Sequence, residues 1–449
     1  MKLSSILTLM SAGLAAAVSC EKRHKTVGRN VMYYDQYHTN LTALTPEIAS
    51  GITHVILAFI PSANFTVTNT SAFTPFESVA KARTRFDKST KILIAIGGWG
   101  DTEGFSAGAK TPESRALFAR NVKKMLIETG ANGADVDWEY PGGNGANYKT
   151  NPNSNKTDEI TTYPLLLSEI RAAIGPDYLL TAAVPGLARD MIAYTAATGP
   201  SIWKSLDFVN LMSYDLMNRR DTVMKHHTDI AGSIQSVDLY TAIGLAPSKI
   251  NLGIAFYAKW FAAAANGTCD AAYPIGCKTA VLEDPVTGED TGISGAVTFE
   301  ASNYVIVDET KLANSTDGSC GANVGLTGAR CPTGNCCSQY GFCGTTPTFC
   351  SLSCQAPYGT CSGATYGESF HKAMAPGASK TDTKLGGEYY YDAEAKIFWT
   401  WDTAPLIARK FKEIVKPKGL GGVMAWSLAE DAYDWSRVKA MKEGVKKYF

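Results

Sequence analysis

The sequence predicts an α/β chain whose eight strands alternate with helices and close into a (β/α)8 barrel, with an α+β lobe inserted on the rim. Three observations carry this. Eight short apolar runs recur along the chain, stretches of helical spacing lie between them, and one interval, from Phe256 to Gly421, holds 164 residues (421 − 256 − 1), far more than one helix needs. The runs span 30–34, 53–60, 91–96, 133–138, 178–184, 206–212, 250–256 and 421–427. Most are nearly continuous Val, Ile, Leu and Ala, as expected of parallel strands covered on both faces. Between them, 112–129 repeats Leu117, Phe118, Val122, Met125 and Leu126 every three or four residues, and 165–174 reads likewise as helix. An open doubly wound sheet is the competing architecture, but no Gly-x-Gly-x-x-Gly follows the first run.

The long interval divides further. The barrel is assigned to 24–261 and 396–449 and the rim lobe to 262–395, with strand-like pieces at 304–307 and 389–391. Within the lobe, 317–363 carries eight cysteines, a density that marks a small module stapled by disulfides. Its cysteines are Cys320, Cys331, Cys336, Cys337, Cys343, Cys350, Cys354 and Cys361, and eight of them allow 105 pairings. A metal site is the alternative, but no histidine lies in the cluster.

Residues 1–19 read as a secretory signal: Lys2, an apolar stretch from Ile6 to Val18, and small residues at Ala17-Val18-Ser19. Glu21-Lys22-Arg23 then offers a dibasic processing site, so 20–23 read as a propeptide remnant and the mature chain as starting at His24. That cut removes Cys20 and leaves an even ten of the 11 cysteines, which suits an oxidising, extracellular compartment. Six Asn-x-Ser/Thr sequons, at Asn40, Asn64, Asn69, Asn155, Asn266 and Asn314, are compatible with glycosylation. The 42 basic residues cancel 42 acidic ones, and no cationic tract offers itself to nucleic acid. Beyond the N-terminus no apolar run reaches the ~18 residues of a membrane span. A secreted monomer without cofactor or metal is expected.

The most informative stretch is 133–140. Side chains at alternate strand positions share a face, so Asp135, Asp137 and Glu139 form one row while Val136 and Trp138 face the helices. If the row points into the barrel, three carboxyls share a poorly solvated space and cannot all ionise. At least one is then held protonated above an ionised neighbour, which glycoside cleavage requires. An edge strand with solvated acids is the alternative, opposed by the flanking apolar residues and the Tyr140-Pro141-Gly142-Gly143 turn.

These residues resemble family 18 glycoside hydrolases, the chitinases. The family's Asp-x-x-Asp-x-Asp-x-Glu motif is met by Asp135, Asp137 and Glu139, with Asn132 in place of the first acid. Its Ser-x-Gly-Gly appears as Ala95-Ile96-Gly97-Gly98, followed by Trp99. Met212-Ser213-Tyr214-Asp215 matches Met-x-Tyr-Asp, 253–257 resembles the strand-seven segment, and 422–426 ends at Trp426, where the family places a subsite-floor tryptophan. The matches run from about residue 29 to 435. The resemblance implies a TIM barrel and a substrate-assisted retaining mechanism on chitin and chitooligosaccharides. Glu139 would be the acid, Asp137 would hold the acetamide nitrogen, Asp135 would share the Asp137 proton, and Tyr214 with Asp215 would orient the acetamide. Trp426, Trp99, Tyr33, Phe59, Met212 and Tyr257 would line the cleft. Ala95 and Asn132 depart from the pattern and predict reduced or pH-shifted activity, which serine at 95 should partly restore. The same departures favour an alternative, a catalytically weak chitin-binding lectin or effector.

The cysteine spacing of 317–363 resembles a hevein-like chitin-binding module. The resemblance implies the pairs Cys320–Cys337, Cys331–Cys343, Cys336–Cys350 and Cys354–Cys361, with Cys269 and Cys277 left as a local pair. It also implies a sugar platform of Ser338, Tyr340, Phe342 and Phe349.

Overall fold

A computed structural model describes residues 28–449 apart from 268, 305–306, 323 and 325–327, so the signal and propeptide readings and Cys20 lie outside the described residues. Seven parallel strands come first: β1 (Arg29–Asp35), β2 (His54–Ile60), β3 (Lys91–Gly97), β4 (Gly133–Asp137), β5 (Leu179–Pro185), β6 (Phe208–Met212) and β7 (Ile250–Ala255). The five antiparallel strands of a second sheet follow, β8 (Tyr257–Ala262), β9 (Ser294–Thr298), β10 (Lys380–Asp382), β11 (Gly387–Asp392) and β12 (Ile397–Trp401), with four two-residue strands between β9 and β10 left unnumbered, before β13 (Gly422–Trp426) returns to the barrel. The barrel closes in the order β1-β13-β7-β6-β5-β4-β3-β2.

The near-continuous apolar strands are explained by two buried faces. Met32, Tyr34, Val55 and Ile94 pack outward on the helices, whereas Val31, Tyr33, Ile56 and Ala95 face the barrel axis. The helix Pro112–Thr129 starts from a capping box between Thr111 and Ser114, with proline at its first turn, and stops at Gly130 in the left-handed conformation (φ +69°). It buries Phe118, Val122, Met125 and Leu126 of the stripe that its spacing predicts, whereas Leu117 is only half-buried. The helix expected over 165–174 instead covers Glu159–Ile174. Pro164 lies in its interior rather than before it, in a turn fixed by burial of Glu159 and Tyr163.

The lobe sheet runs β10-β11-β12-β8-β9. It begins at Tyr257 and ends at Trp401, so 257–261 and 397–401, assigned to the barrel from sequence, are lobe strands. Only Phe256 separates β7 from β8, and no polar break marks the crossing. Trp260, Trp399, Phe370 and Ile397 fill the lobe core. The Trp260 ring stacks on Tyr366 at 5.4 Å, and Trp399 Nε1 donates to Ser369 Oγ at 2.9 Å. Residues 389–391 lie within β11 as expected, whereas Tyr304 ends a 3-10 turn (Ala301–Tyr304) and 305–306 lie outside the described residues.

Among the described residues five disulfides close, all within 269–361: Cys269–Cys277, Cys320–Cys337, Cys331–Cys343, Cys336–Cys350 and Cys354–Cys361. The core of the small module is built mainly from its cysteines and Tyr358. Among the described residues no helix is long and apolar enough to cross a membrane.

Candidate active site

The acidic row hangs from β4, between β3 and β5. In register, Asp135 lies opposite Ala95 and Thr181, and Asp137 opposite Gly97. Asp135 and Asp137 are buried and turn toward the axis, and Glu139 follows just past the strand end, half-buried. Trp138 points the other way and stacks on Phe105 at 5.2 Å, so the alternation holds through the whole stretch. Gly97 and Gly98 (φ +103° and +96°) let the neighbouring turn close on the row. Gly98 N donates to Asp137 O at 2.8 Å, and a Cβ on Gly97 would sit 2.4 Å from that oxygen.

Asp135 is the best-supported carboxylate. Tyr33 Oη donates to Oδ2 at 2.7 Å, Thr181 Oγ1 donates to Oδ1, and Asn210 Nδ2 reaches Oδ1 at 3.3 Å. Asn251 Nδ2 donates to Asn210 Oδ1 at 2.9 Å and Arg29 Nε to Asn251 Oδ1 at 2.7 Å, completing a polar chain through the barrel interior. The hydroxyl absent at Ala95 is thus matched by one from Thr181 on the opposite neighbouring strand. Asn132 stands at the start of β4, where its Oδ1 accepts from Ile92 N at 2.9 Å and Arg83 Nη2 at 3.0 Å. Its lost charge lies away from the row's upper end.

Burial sets the protonation of the row. It pushes Asp135 up to about 6 against the pull of Thr181, Tyr33 and Asn210. Desolvation, reinforced by Glu139 and Asp135, raises Asp137 well above the usual carboxylate range. Glu139 is pushed up to about 7 by burial, opposed by the Tyr140 hydroxyl and assisted by Asp215 and Asp190. Asp137 Oδ1 is buried without a hydrogen-bond partner among the described residues. Asp215 behaves oppositely. Burial alone would raise it, but Lys259 Nζ at 3.2 Å, His227 Nδ1 at 3.6 Å and Tyr257 Oη, donating at 2.9 Å, hold it below the usual range. Tyr214 Oη meets only the Met424 sulfur, at 3.8 Å, among the described residues.

Above the row opens a cleft of about 660 Å³. Tyr33, Phe59, Trp99, Asp137, Glu139, Met212, Tyr214, Asp215, Tyr257 and Trp426 all line it, and Asp135 lies beneath. Trp426 forms an aromatic floor, with Phe59 stacked at 5.5 Å and Tyr33 tilted at 5.6 Å. Trp99 is exposed at the rim.

A family model described as "Glycosyl hydrolases family 18" matches residues 29–431. The chain belongs to glycosyl hydrolase family 18. Relatives include Chitotriosidase-1 of Mus musculus, 29% identical over 252 residues (52% of this chain, 53% of that protein). The Chitinase of Autographa californica nuclear polyhedrosis virus is 34% identical over 200 residues, 40% of this chain and 35% of its own. Chitinase B of Serratia marcescens is 24% identical over 424 residues, 86% of this chain and 75% of its own. The chain therefore spans about half, or less, of the length of the first two. Among solved structures, a family 18 N-acetylglucosaminidase from Paenibacillus barengoltzii superposes with a TM-score of 0.61 at 20% identity, covering 93% of this chain and 99% of that one. A class V chitinase from Nicotiana tobaccum gives 0.60 at 18%, covering 94% and 100%. These likenesses show the barrel fold.

In this family 18 chain several site residues escape sequence reasoning. Thr181, Asn210 and Asn251 carry one available signal, a polar residue at an inward position of an otherwise apolar strand. Arg220 lies 4.0 Å over the Tyr148 ring and 5.9 Å over Trp99. Lys259 and Asp290 reach the cleft from the lobe, which no local pattern foretells. His38, at the cleft lip, is held by Asp35 at 3.0 Å and Glu430 at 3.4 Å. The four module residues lie outside the cleft lining. Tyr340 and Phe342 are exposed, and Phe349 packs against Gly344. Ser338 is buried, and its hydroxyl accepts from Phe342 N at 3.3 Å.

Proposed function

We propose that this family 18 chain is a secreted chitinase, hydrolysing β-1,4 linkages between N-acetylglucosamine units with retention at the anomeric carbon. The observation that carries the reading is the buried row itself, with Asp137 Oδ1 left unpartnered below an aromatic-floored cleft. Glu139, protonated near neutrality, gives its proton to the glycosidic oxygen as that bond to C1 breaks. The substrate's own acetamide oxygen forms the new bond to C1, giving an oxazolinium ion. Asp137 accepts from the acetamide nitrogen, Tyr214 Oη donates to the acetamide oxygen, and Asp135 takes a share of the Asp137 proton as charge develops. Water then attacks C1, loses its proton to the Glu139 carboxylate and reopens the ring. Trp426 offers its face to the C–H face of the reacting sugar. The chitinase names of its relatives, the hevein-like spacing of 317–363 and disulfides of the kind an oxidising compartment keeps support the same substrate and location.

The test is timed mass spectrometry of chitin hexamer incubated with the protein and with Glu139→Gln. Shortening by the parent, with the variant slower by about 10²–10⁴-fold, is the expected result. Binding by both proteins without shortening would make the chain a chitin-binding protein and not a hydrolase.

A further inference from the structure

The cysteine-stapled module is not tethered at a distance from the cleft; it is bolted to the cleft wall. Gln339 Nε2 donates to Ser294 O at 3.1 Å, and Tyr340 Oη donates to Asp290 Oδ2 at 2.8 Å. Asp290, Ser294 and Gly295 belong to the lining that also contains Glu139 and Trp426. The fit is tight: a Cβ on Gly295 would lie 2.3 Å from Gln339 Oε1 and 2.7 Å from Trp260 Nε1. On its other side the module continues into the lobe core through Leu352, whose carbonyl accepts from Tyr366 N at 2.8 Å. Held there, Tyr340 and Phe342 remain 60% exposed each, large rings with no protein partner over much of their surface.

We infer that the Tyr340–Phe342 face and the catalytic cleft form one continuous binding track, so that a single chain of β-1,4-linked N-acetylglucosamine engages both at once. The inference rests on the proposed function and goes beyond it, because a chitin-binding module could equally anchor polymer independently of the strand being cut. Rigid placement removes the linker that would otherwise set an effective concentration, and the module's contacts add directly to those of the cleft. Only ligands long enough to leave the cleft gain from them.

The experiment uses the full chain carrying Glu139→Gln, titrated with chitin trimer and chitin hexamer. Adding Phe342→Ala, at an exposed position that leaves both the disulfide core and the Gln339 and Tyr340 contacts to the cleft wall intact, should weaken hexamer binding about tenfold and leave the trimer unchanged. Equal weakening of both oligomers, or no change for the hexamer, overturns the shared track. If the hexamer is unmoved while adsorption to insoluble chitin falls, the module is a separate anchor; the track is then lost and the proposed function stands. A Glu139→Gln chain that binds neither oligomer removes the reading of the cleft and this inference with it.

Discussion

At the level of single residues, the row on β4 does its work through unequal environments for like groups. Asp135 has three donors and titrates near 6, whereas Glu139 has mainly desolvation and like charge and titrates near 7. Productive protonation needs Asp135 ionised and Glu139 protonated, so kcat/KM should trace a narrow bell whose apparent limbs belong to the coupled row as a whole. Thr181→Val removes a donor that favours the Asp135 anion. Its pKa should rise, the acidic limb should move to higher pH, and kcat should fall about tenfold, the scale of one hydrogen bond to a charged group. Ala95→Ser should change the profile less, because Thr181 already supplies the hydroxyl. The raised carboxyls also fix a sign for stability. In the folded chain Glu139 keeps a proton that the unfolded chain releases from about pH 4.5 upward, so its contribution is whole below that pH and lost as pH rises through about 7. Glu139→Gln should therefore melt higher than the parent at pH 8 and alike at pH 4, read by calorimetry. Asp135, Asp137 and Glu139 are legible in sequence because strand parity assigns them a face. Thr181 and Asn210 are not, because their meaning depends on which strands become neighbours.

At the level of elements, the barrel strands are legible to within a residue or two, since two buried faces leave an unbroken apolar signature. The lobe is less so. Its outer strands alternate faces, and β8 runs on from β7 without a break, so its boundary appears only once Tyr257–Ala262 is seen paired with Ile397–Trp401. The lobe also reaches across to the loop after β4. Glu283 accepts from Tyr148 Oη at 2.5 Å, pairs with Lys149 at 3.0 Å and faces Arg219 at 3.5 Å. Glu283→Ala should speed amide hydrogen exchange in 140–156 while costing the global fold about 1 kcal/mol or less. Trp399→Ala, in the lobe core, should cost ~3–5 kcal/mol, measured by denaturant unfolding.

At the level of the whole molecule, covalent and non-covalent cohesion are segregated. Every disulfide among the described residues lies within 269–361, and the barrel strands are joined by packing, ladder hydrogen bonds and buried polar contacts instead. Mild reduction should abolish adsorption to chitin polymer while leaving trimer and tetramer turnover nearly unchanged, a split visible by running both assays on one reduced sample. The topology has one more consequence. β1 must pair with β13, and 386 residues (422 − 35 − 1) separate the end of one from the start of the other. At roughly 5–20 residues per second of synthesis, β1 waits about 20–80 s for its last neighbour. Throughout that time the nascent chain carries an open sheet edge, the feature that invites pairing with other chains. The lobe and its cysteines emerge inside the same interval, so their oxidation has a head start on closure of the barrel. For this chain, then, the speed with which the ribosome delivers the final strand bears on yield as directly as any contact in the finished fold.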